Sequence, residues 1–163
     1  MNNNFCIRKA TKNDYSFLKE MLYESIHVPP GAEVPPPSIL ELPELKYYIK
    51  DWMKESDVGF IAEIKGENIG AAWARVSDPA QSGGYGFIDP AIPELVFAVK
   101  EKYRNRGLGT ALLQALFKEF KINGYHKISL SVSKTSSAIR LYKRLGFDLN
   151  KSQEHDYLML KHL

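Results

Sequence analysis

The sequence contains only one cysteine, Cys6, in 163 residues. This excludes a disulfide within the chain, and the paired cysteines of structural zinc sites are missing as well. The histidines show no metal-ligand spacing; they are His27, His126, His155 and His162. We therefore expect no bound metal and a reducing, cytoplasmic setting.

Long apolar runs are also missing. No stretch approaches the roughly 20 apolar residues needed to span a membrane. Met1 to Asn4 leads into mixed sequence rather than into a basic and then an apolar segment. We expect neither secretion nor a membrane partner. With 44% hydrophobic residues, the chain should form a single domain over residues 1–163.

Charge is unevenly distributed, although the net charge is only +3. Residues 1–99 contain 9 Lys and Arg against 14 Asp and Glu, whereas residues 100–163 contain 13 against 5. The second part is therefore the candidate anion-binding half. Its basic residues cluster near a glycine turn instead of forming a stripe, which disfavours nucleic acid as a partner.

The first half of the chain predicts a strand at Asn4 to Arg8. Thr11 to Asp14 is typical of a helix cap, and the helix should run to about Ile26. Five prolines between Val28 and Pro37 exclude a helix there and predict a loop. The remaining predictions are a helix over Leu42 to Lys54, a strand over Val58 to Ile64, a turn over residues 65–68, a strand over Ile69 to Val76 and a loop over Pro79 to Gly86.

In the second half, Glu94 to Val99 is apolar after its first residue, which is typical of a strand buried on both faces. Thr110 to Asn123 has its apolar residues on one side and is followed by Gly124, a helix stop. The other predicted elements are a strand at Lys127 to Val132, a helix at Ser136 to Leu145, and strands near Phe147 to Leu149 and Asp156 to Leu160.

A turn with two arginines and two glycines joins the buried strand to the following helix. Arg104, Arg106, Gly107 and Gly109 lie within six residues of one another. Amides at a helix start carry about half a positive charge, and glycine lets a phosphate approach them closely. The turn predicts a phosphate-binding site, although the two glycines could also serve only to shape a tight turn. It is neither a P-loop nor a dinucleotide fingerprint.

Two segments resemble signatures of the GNAT superfamily of N-acetyltransferases. Val99 to Thr110 is similar to Arg/Gln-x-x-Gly-x-Gly/Ala, with Arg104, Gly107 and Gly109 in its fixed places. Ala138 to Phe147 resembles the block Ala-x-x-Leu-Tyr-x-x-x-Gly-Phe. The close matches cover residues 94–147, and the first 90 residues fit only in the order of their elements.

The resemblance implies a mixed α/β fold with a central, mostly antiparallel, splayed sheet of six to seven strands and about four flanking helices. It also implies an enzyme that moves an acetyl group from acetyl-CoA to an amine by direct attack in a ternary complex. The acceptor would be a small-molecule amine or a peptide amine. A catalytically silent acyl-CoA-binding or sensor module is the alternative.

The resemblance also assigns residues to acetyl-CoA. Backbone groups of Phe97, Ala98 and Val99 would bind the pantetheine arm. Thr135 and Ser137 would lie beside the cosubstrate, although the family often has Asn at the first of these positions; Thr can still cap the helix. The amides that would bind the diphosphate belong to Arg104, Asn105, Arg106, Gly107, Leu108, Gly109 and Thr110.

Glu94 is the candidate proton acceptor, because it is the one acidic residue of the central strand. An alkyl amine with a pKa near 10.4 is only about one part in a thousand neutral near pH 7.4, so a base would help. Glu94 could instead be a solvated residue at the edge of the strand. Asp89 and Glu33 are possible substitutes.

Tyr142 matches the family tyrosine that supplies a proton to the departing thiolate. Its spacing also supports a role in the core, because Ala138, Leu141 and Leu145 share its helix face. Helical side chains lean toward the amino end of the helix, which would direct the Tyr142 hydroxyl toward the cofactor strand.

The acceptor cleft of the superfamily is usually lined by parts that correspond here to the proline loop, the second helix and the segment Tyr85 to Pro93. The aromatic residues Tyr47, Tyr48 and Trp52 of that helix could equally pack in the core. The acidic first part of the chain would attract a cationic amine. Exposed strands near the carboxyl end could pair in a homodimer.

Overall fold

Within residues 4–78 and 83–163, which the computed structural model describes, the chain forms seven strands and four α-helices. The strands are β1 (Cys6–Lys9), β2 (Val58–Ile64), β3 (Glu67–Arg75), β4 (Glu94–Val99), β5 (Lys127–Ser133), β6 (Asp148–Ser152) and β7 (Asp156–His162). The α-helices are α1 (Tyr15–Glu24), α2 (Pro43–Lys46), α3 (Leu108–Ile122) and α4 (Ala138–Arg144). Short 3-10 helices span Lys12–Asp14, Pro37–Glu41 and Glu101–Tyr103.

One sheet contains all seven strands in the order β1-β2-β3-β4-β5-β7-β6. Only β4 and β5 are parallel, and every other neighbouring pair is antiparallel. A parallel pair needs a crossover connection, which α3 supplies between these two strands. The predicted fold class, a mixed and mostly antiparallel sheet with flanking helices, is therefore confirmed.

The sheet is covered on both faces because its central strands are apolar on both sides. Along β4, Leu95 and Val99 pack with α3, whereas Val96 and Ala98 pack with α1, as the two-residue period of a strand requires. We call these two layers the α3-side core and the α1-side core. The α3-side core includes Leu112, Leu113, Leu116, Phe120, Ile128 and Met159, and the α1-side core includes Leu18, Met21, Leu22, Tyr48, Trp52 and Trp73.

The sheet opens between its two parallel strands. β3 and β4 pair along the whole of β4, from Arg75 opposite Glu94 to Gly70 opposite Val99. β4 and β5 pair only where Glu94 lies opposite Ser129. Beyond that point the two strands separate, so β4 keeps one edge that the β5 ladder does not use.

The predicted helix over Leu42 to Lys54 is wrong in length. The helix α2 ends at Lys46, and further on Asp51 and Met53 have positive φ angles of 54° and 81°. An α-helix excludes such angles. The apolar face predicted for this segment is nevertheless buried: Leu45, Tyr48, Ile49 and Trp52.

A buried arginine accounts for the early end of α2. The Arg75 guanidinium donates to the carbonyls of Tyr47 and Lys50, at 2.7 and 2.6 Å. It also binds the Asp57 carboxylate through two hydrogen bonds of 2.9 and 3.0 Å, and Asp57 accepts the amide of Met53 at 3.0 Å. Carbonyls that a longer helix would pair with its own amides are therefore used by the ion pair.

The other predicted elements are present, with ends shifted by a few residues. Thr11 and Asp14 form the predicted capping box. The hairpin turn is shorter than predicted, since β3 begins at Glu67 after Lys65 and Gly66, whose φ angles are 51° and 81°. Residues 79–82 of the predicted loop lie outside the described residues. No helix in the described part of the chain is long and apolar enough to cross a membrane.

Replacing Arg75 by methionine should lower the free energy of unfolding by about 3–5 kcal/mol, because it leaves the Asp57 carboxylate buried without its partner. The two side chains are only 3% and 1% exposed. Urea denaturation followed by circular dichroism measures the change. The matched control is Lys46→Met, which removes an exposed ion pair with Glu41 and should cost less than about 1 kcal/mol. Equal losses of stability in the two variants would contradict the role of Arg75 as the buried partner of Asp57.

Candidate functional site

Glu94, the first residue of β4, lies at the point where the sheet opens. It is 1% exposed, so the alternative that it is a solvated residue at the strand's edge is wrong. The Tyr48 hydroxyl donates to one carboxylate oxygen at 3.1 Å, and the Gly84 amide donates to the other at 3.1 Å. The carboxylate is thus fixed at both oxygens.

Burial raises the pKa of Glu94 to about 7, against the opposing effect of the hydrogen bonds from Gly84 and Tyr48. Loss of water penalises the charged carboxylate, and the donors around it, which include Gly86 and Tyr47, only partly compensate. A carboxyl group with this pKa exchanges its proton readily near neutral pH. Burial also raises the pKa of Tyr48, and the Glu94 charge adds to the effect, so this phenol stays protonated and remains a donor.

A glycine-rich segment packs against Glu94 and Tyr48. A Cβ on Gly83 would collide with the Glu94 carboxylate, and one on Gly84 would collide with the Tyr48 ring. Gly86 lies against the backbone of β5, where its carbonyl accepts the Ser129 hydroxyl at 2.6 Å. The Gly86 amide donates to the Tyr48 hydroxyl at 3.1 Å. The segment therefore reaches from the carboxylate to the mouth of the gap between β4 and β5.

The arginine–glycine turn lies at the other end of β4. Arg104 Nε donates to the carbonyl of Val99 at 2.9 Å, which ties the turn to the strand end. Asn105 and Gly107 have φ angles of 60° and 81°. Gly107 is the N-cap of α3 and provides no side chain to cap the first amides. The open amides and the nearby guanidinium groups fit an anion such as a diphosphate.

The helix α4 brings Tyr142 to the same strand. The Tyr142 ring meets Phe97 of β4 edge-on, with centroids 6.4 Å apart, and also meets Phe147 at 5.7 Å. Gly109 lies so close to Phe97 and Leu141 that an added Cβ would be 2.8 and 3.1 Å from them. β4, α3 and α4 are therefore in direct contact here. Burial raises the pKa of Tyr142, which keeps its hydroxyl protonated.

Tyr142 and Glu94 lie on opposite faces of the sheet. Tyr142 belongs to the α3-side core, as its spacing on the helix predicted. Packing in the core and a role as proton donor are compatible. Glu94 binds Tyr48, which belongs to the α1-side core. The gap between β4 and β5 is where groups on the two faces can act on one substrate.

Thr135 and Ser137, which were predicted to lie beside the cosubstrate, are found at the start of α4. Thr135 does not cap the helix as expected: its hydroxyl lies 3.2 Å from that of Ser133. Ser136 accepts the amide of Ala138 at 3.2 Å instead, and Ser137 is the N-cap residue without a side-chain cap bond. An additional guanidinium reaches the start of α3, because Arg144 donates to the Thr110 hydroxyl at 3.4 Å.

The substitute bases are placed differently from Glu94. Asp89 is exposed and accepts the amide of Ala91 at 2.8 Å, and Glu33 is exposed in the proline loop. Among residues 4–78 and 83–163, no group of three His, Cys, Asp or Glu side chains is arranged to hold a metal ion.

Sequence reasoning named Tyr48 but missed Arg75, Gly83 and Gly84 near Glu94. Arg75 follows a run of uncharged residues, Ile69 to Ala74, and a charge at the end of such a run was a signal that it has a buried partner. Gly83 and Gly84 form an adjacent glycine pair within a predicted loop. A pair of glycines marks a turn in a sequence, and nothing in the pattern relates it to a carboxylate ten residues later.

A model of the acetyltransferase (GNAT) family matches residues 20–147. The chain belongs to the GNAT acetyltransferase family. Within this GNAT enzyme, the matched segment contains the opening of the sheet, the arginine–glycine turn and Tyr142.

Relatives and solved structures agree with this assignment. An N-alpha-acetyltransferase of Sulfurisphaera tokodaii is 37% identical to the GNAT chain over 122 residues, covering 68% of this chain and 69% of that protein. A mycothiol acetyltransferase of Corynebacterium glutamicum is 31% identical over 103 residues, or 63% of this chain, which spans only 32% of that protein. The crystal structure of the PaiA N-acetyltransferase of Thermoplasma acidophilum in complex with coenzyme A shares the fold, with a TM-score of 0.71 at 20% identity and 98% and 99% of the two chains covered.

These comparisons confirm the predicted GNAT family, N-acetyltransferase activity and acetyl-CoA as cosubstrate. The roles of individual residues stay predictions.

Proposed function

We propose that this GNAT enzyme transfers the acetyl group of acetyl-CoA directly to the α-amino group of a peptide, with both substrates bound at once. The observation that carries the proposal is the Glu94 carboxyl, which is buried at the opening of the sheet with a pKa of about 7. The similarity to an N-alpha-acetyltransferase over 69% of that protein supports the choice of acceptor.

The proton affinity of Glu94 suits an α-amine better than a lysine side chain. A peptide α-ammonium has a pKa near 8, so proton transfer to a carboxylate with a pKa of about 7 costs about 1 kcal/mol. The same transfer from a lysine with a pKa near 10.4 costs about 5 kcal/mol. Glu94 would therefore generate the neutral α-amine at little cost near neutral pH.

For the cosubstrate, we assign the diphosphate to the amides of residues 105–110 and to the guanidinium groups beside them. The Arg104 amide, which was predicted to take part, donates instead to the Glu101 carbonyl at 3.2 Å. The glycine N-cap of α3 and the left-handed turn before it support this assignment. Acetyl-CoA supplies an acetyl group already activated as a thioester. Phe97, Ala98 and Val99 would bind the pantetheine arm along the edge of β4 that β5 does not use. Thr135 and Ser137 would lie beside that arm.

The reaction needs one group to take a proton and another to give one. The amine nitrogen forms a bond to the acetyl carbon, and the carbon–sulfur bond breaks. Glu94 takes one proton from the α-ammonium before the attack, and Tyr142 gives its proton to the departing sulfur. The second proton that the nitrogen loses passes to water, and exchange with water returns Glu94 and Tyr142 to their starting states. Its buried, protonated hydroxyl and its contact with Phe97 of β4 support this role. The family resemblance of Tyr142 points the same way.

The direct test is the release of coenzyme A thiol from acetyl-CoA in the presence of short peptides. We expect turnover with free amino termini and none with the same peptides already acetylated at the terminus. Peptides with a blocked terminus and a free lysine should react at least tenfold more slowly, because of the larger proton-transfer cost. Tight coenzyme A binding without turnover on any amine would instead favour a silent sensor.

Glu94→Gln should lower kcat/KM by about 100-fold or more, since the amide cannot accept a proton. In the wild type, kcat/KM should rise with pH as Glu94 loses its proton near pH 7. That ionisation should disappear from the variant profile and leave only that of the amine near pH 8. Glu20→Gln, an exposed change on α1, is the control. If the variant keeps the step near pH 7, or if Asp89→Asn removes it, Glu94 is not the base.

Gly107→Ala should raise the Kd of coenzyme A about tenfold, because alanine disfavours the left-handed φ that directs the amides of the turn toward the diphosphate. Gly66→Ala is a matched control, since Gly66 has the same φ of 81° and, like Gly107, open space around an added Cβ. Both variants should lose about 1 kcal/mol of stability, and only the first should bind coenzyme A more weakly. Calorimetric titration measures the Kd, and equal values in the two variants would contradict the assignment.

A further inference from the structure

A buried serine of β5 lies opposite the proposed base. β4 and β5 pair only at Glu94 and Ser129, and Ser129 is 0% exposed. Its strand neighbours Ile128, Leu130 and Val132 pack in the α3-side core, so the two-residue period of β5 turns the Ser129 side chain to the α1 side of the sheet. Glu94 faces that side as well. A hydroxyl buried in this position needs a hydrogen-bond partner.

The Ser129 hydroxyl reaches the glycine-rich segment, residues 83–86. It lies 2.6 Å from the Gly86 carbonyl oxygen and 3.4 Å from that of Pro93, so its single proton bonds mainly to Gly86. The Pro93 carbonyl already accepts the Ser129 amide at 3.0 Å. Gly86 sits directly on β5, since a Cβ on it would lie 3.2 Å from the Leu130 Cα. The hydroxyl therefore fixes the segment against β5.

Two amides of the same segment complete the surroundings of the base. The Gly84 amide donates to one Glu94 oxygen at 3.1 Å. The Gly86 amide donates to the Tyr48 hydroxyl at 3.1 Å, and that hydroxyl donates to the other Glu94 oxygen at 3.1 Å. A hydroxyl that accepts one hydrogen bond donates the next more strongly. Because Gly86 gives its carbonyl to Ser129 and its amide to Tyr48, this one residue links β5 to the hydrogen bonds of the base.

Ionisable groups that face Glu94 come from other elements. Tyr47 and Tyr48 approach it from the chain after α2, and the hydrogen bonds of both phenols lower its pKa. Arg75 lies opposite Glu94 on β3, and its charge is balanced by Asp57 at 2.9 Å. A change at the serine keeps all of these groups in the chain, so its effect reports on the segment. The helix α1 contributes apolar side chains to this core: Leu18, Met21 and Leu22.

We propose that Ser129 is a positioning residue for Glu94. Its hydroxyl holds the Gly86 carbonyl, and the segment fixed in this way presents the Gly84 amide to the carboxylate and the Gly86 amide to Tyr48. Ser129 acts through this segment and touches neither substrate. The inference rests on the proposed function, because it assigns what holds the proposed base in place.

Ser129→Ala should move the pH dependence of the rate without removing a proton donor or acceptor. Loss of the hydroxyl loosens the segment, which weakens the hydrogen bonds of Gly84 and Gly86 that lower the pKa of Glu94. We expect the rise of kcat/KM with pH to move up by about one pH unit. The loss relative to wild type should be about tenfold below about pH 6 and less than about twofold above about pH 9. A purely structural role would lower kcat/KM by a similar factor at every pH.

Two further variants test the role of the hydroxyl. Ser25→Ala is the matched control, because the Ser25 hydroxyl also donates to a backbone carbonyl at 2.6 Å, that of Leu22 in α1; its profile should match wild type. Ser129→Cys keeps a side chain of similar size, but a thiol is a weak donor. Its profile should move in the same direction as in Ser129→Ala and by less, which tests the proposal even if the alanine variant folds poorly. Wild-type profiles in both Ser129 variants, each shown by circular dichroism to be folded, would overturn the proposal.

A titration of the free enzyme separates this proposal from the proposed function. NMR of the Glu94 carboxyl carbon, with the signal assigned from Glu94→Gln, needs no substrate. The carboxyl should titrate near pH 7 in wild type and about one unit higher in Ser129→Ala. If the wild type acetylates no peptide and the titration moves as expected, the positioning role stands and the proposed function fails. If peptides are acetylated and Glu94 titrates at the same pH in both proteins, the function stands and Ser129 does not position the base.

Discussion

The single pairing of β4 with β5 is the constraint on which the rest of the site depends. β4 pairs with β3 along its whole length, so it stays in the sheet beyond Ser129, where its pairing with β5 ends. The resulting gap has Glu94 at its narrow end and the start of α3 at its far end. A linear molecule with an anionic head and a reactive tail fits between two such groups. The same strand therefore positions both halves of the proposed chemistry.

Keeping a carboxyl at the narrow end has an energetic consequence for the fold. The pKa of Glu94 in the folded chain is about 7, above its ordinary value of 4.5. The folded state thus holds this proton more tightly, and the stability that Glu94 contributes falls as pH rises from 4.5 through 7. Ionised Glu94 lowers stability by about 3 kcal/mol above that range. Tyr48 and Gly84 reduce this cost. The Trp73 indole holds the Tyr48 carbonyl, and Arg75 holds the carbonyl of the neighbouring Tyr47.

Local features were predicted well because they depend on residues close in sequence. The capping box at Thr11, the apolar strand after Glu94 and the glycine turn before α3 all formed as expected. The predicted helix over residues 42–54 was too long, although its apolar spacing was correct. Its carbonyls are bound by Arg75, which lies some 25 residues further along the chain. Periodicity reports which side chains are buried, and it cannot report which distant donor competes for the backbone.

The sequence by itself determined the family, the strand–turn–helix unit that suits a diphosphate, and the identity of the two candidate catalytic residues. Only the tertiary structure decided that Glu94 is buried and that Tyr48 and Gly84 hold it. The physical reason is the separation in sequence between the residues that interact. Turn geometry and helix amides are set by neighbouring residues, whereas the proton affinity of a carboxyl depends on water excluded by segments that the chain brings together from far apart.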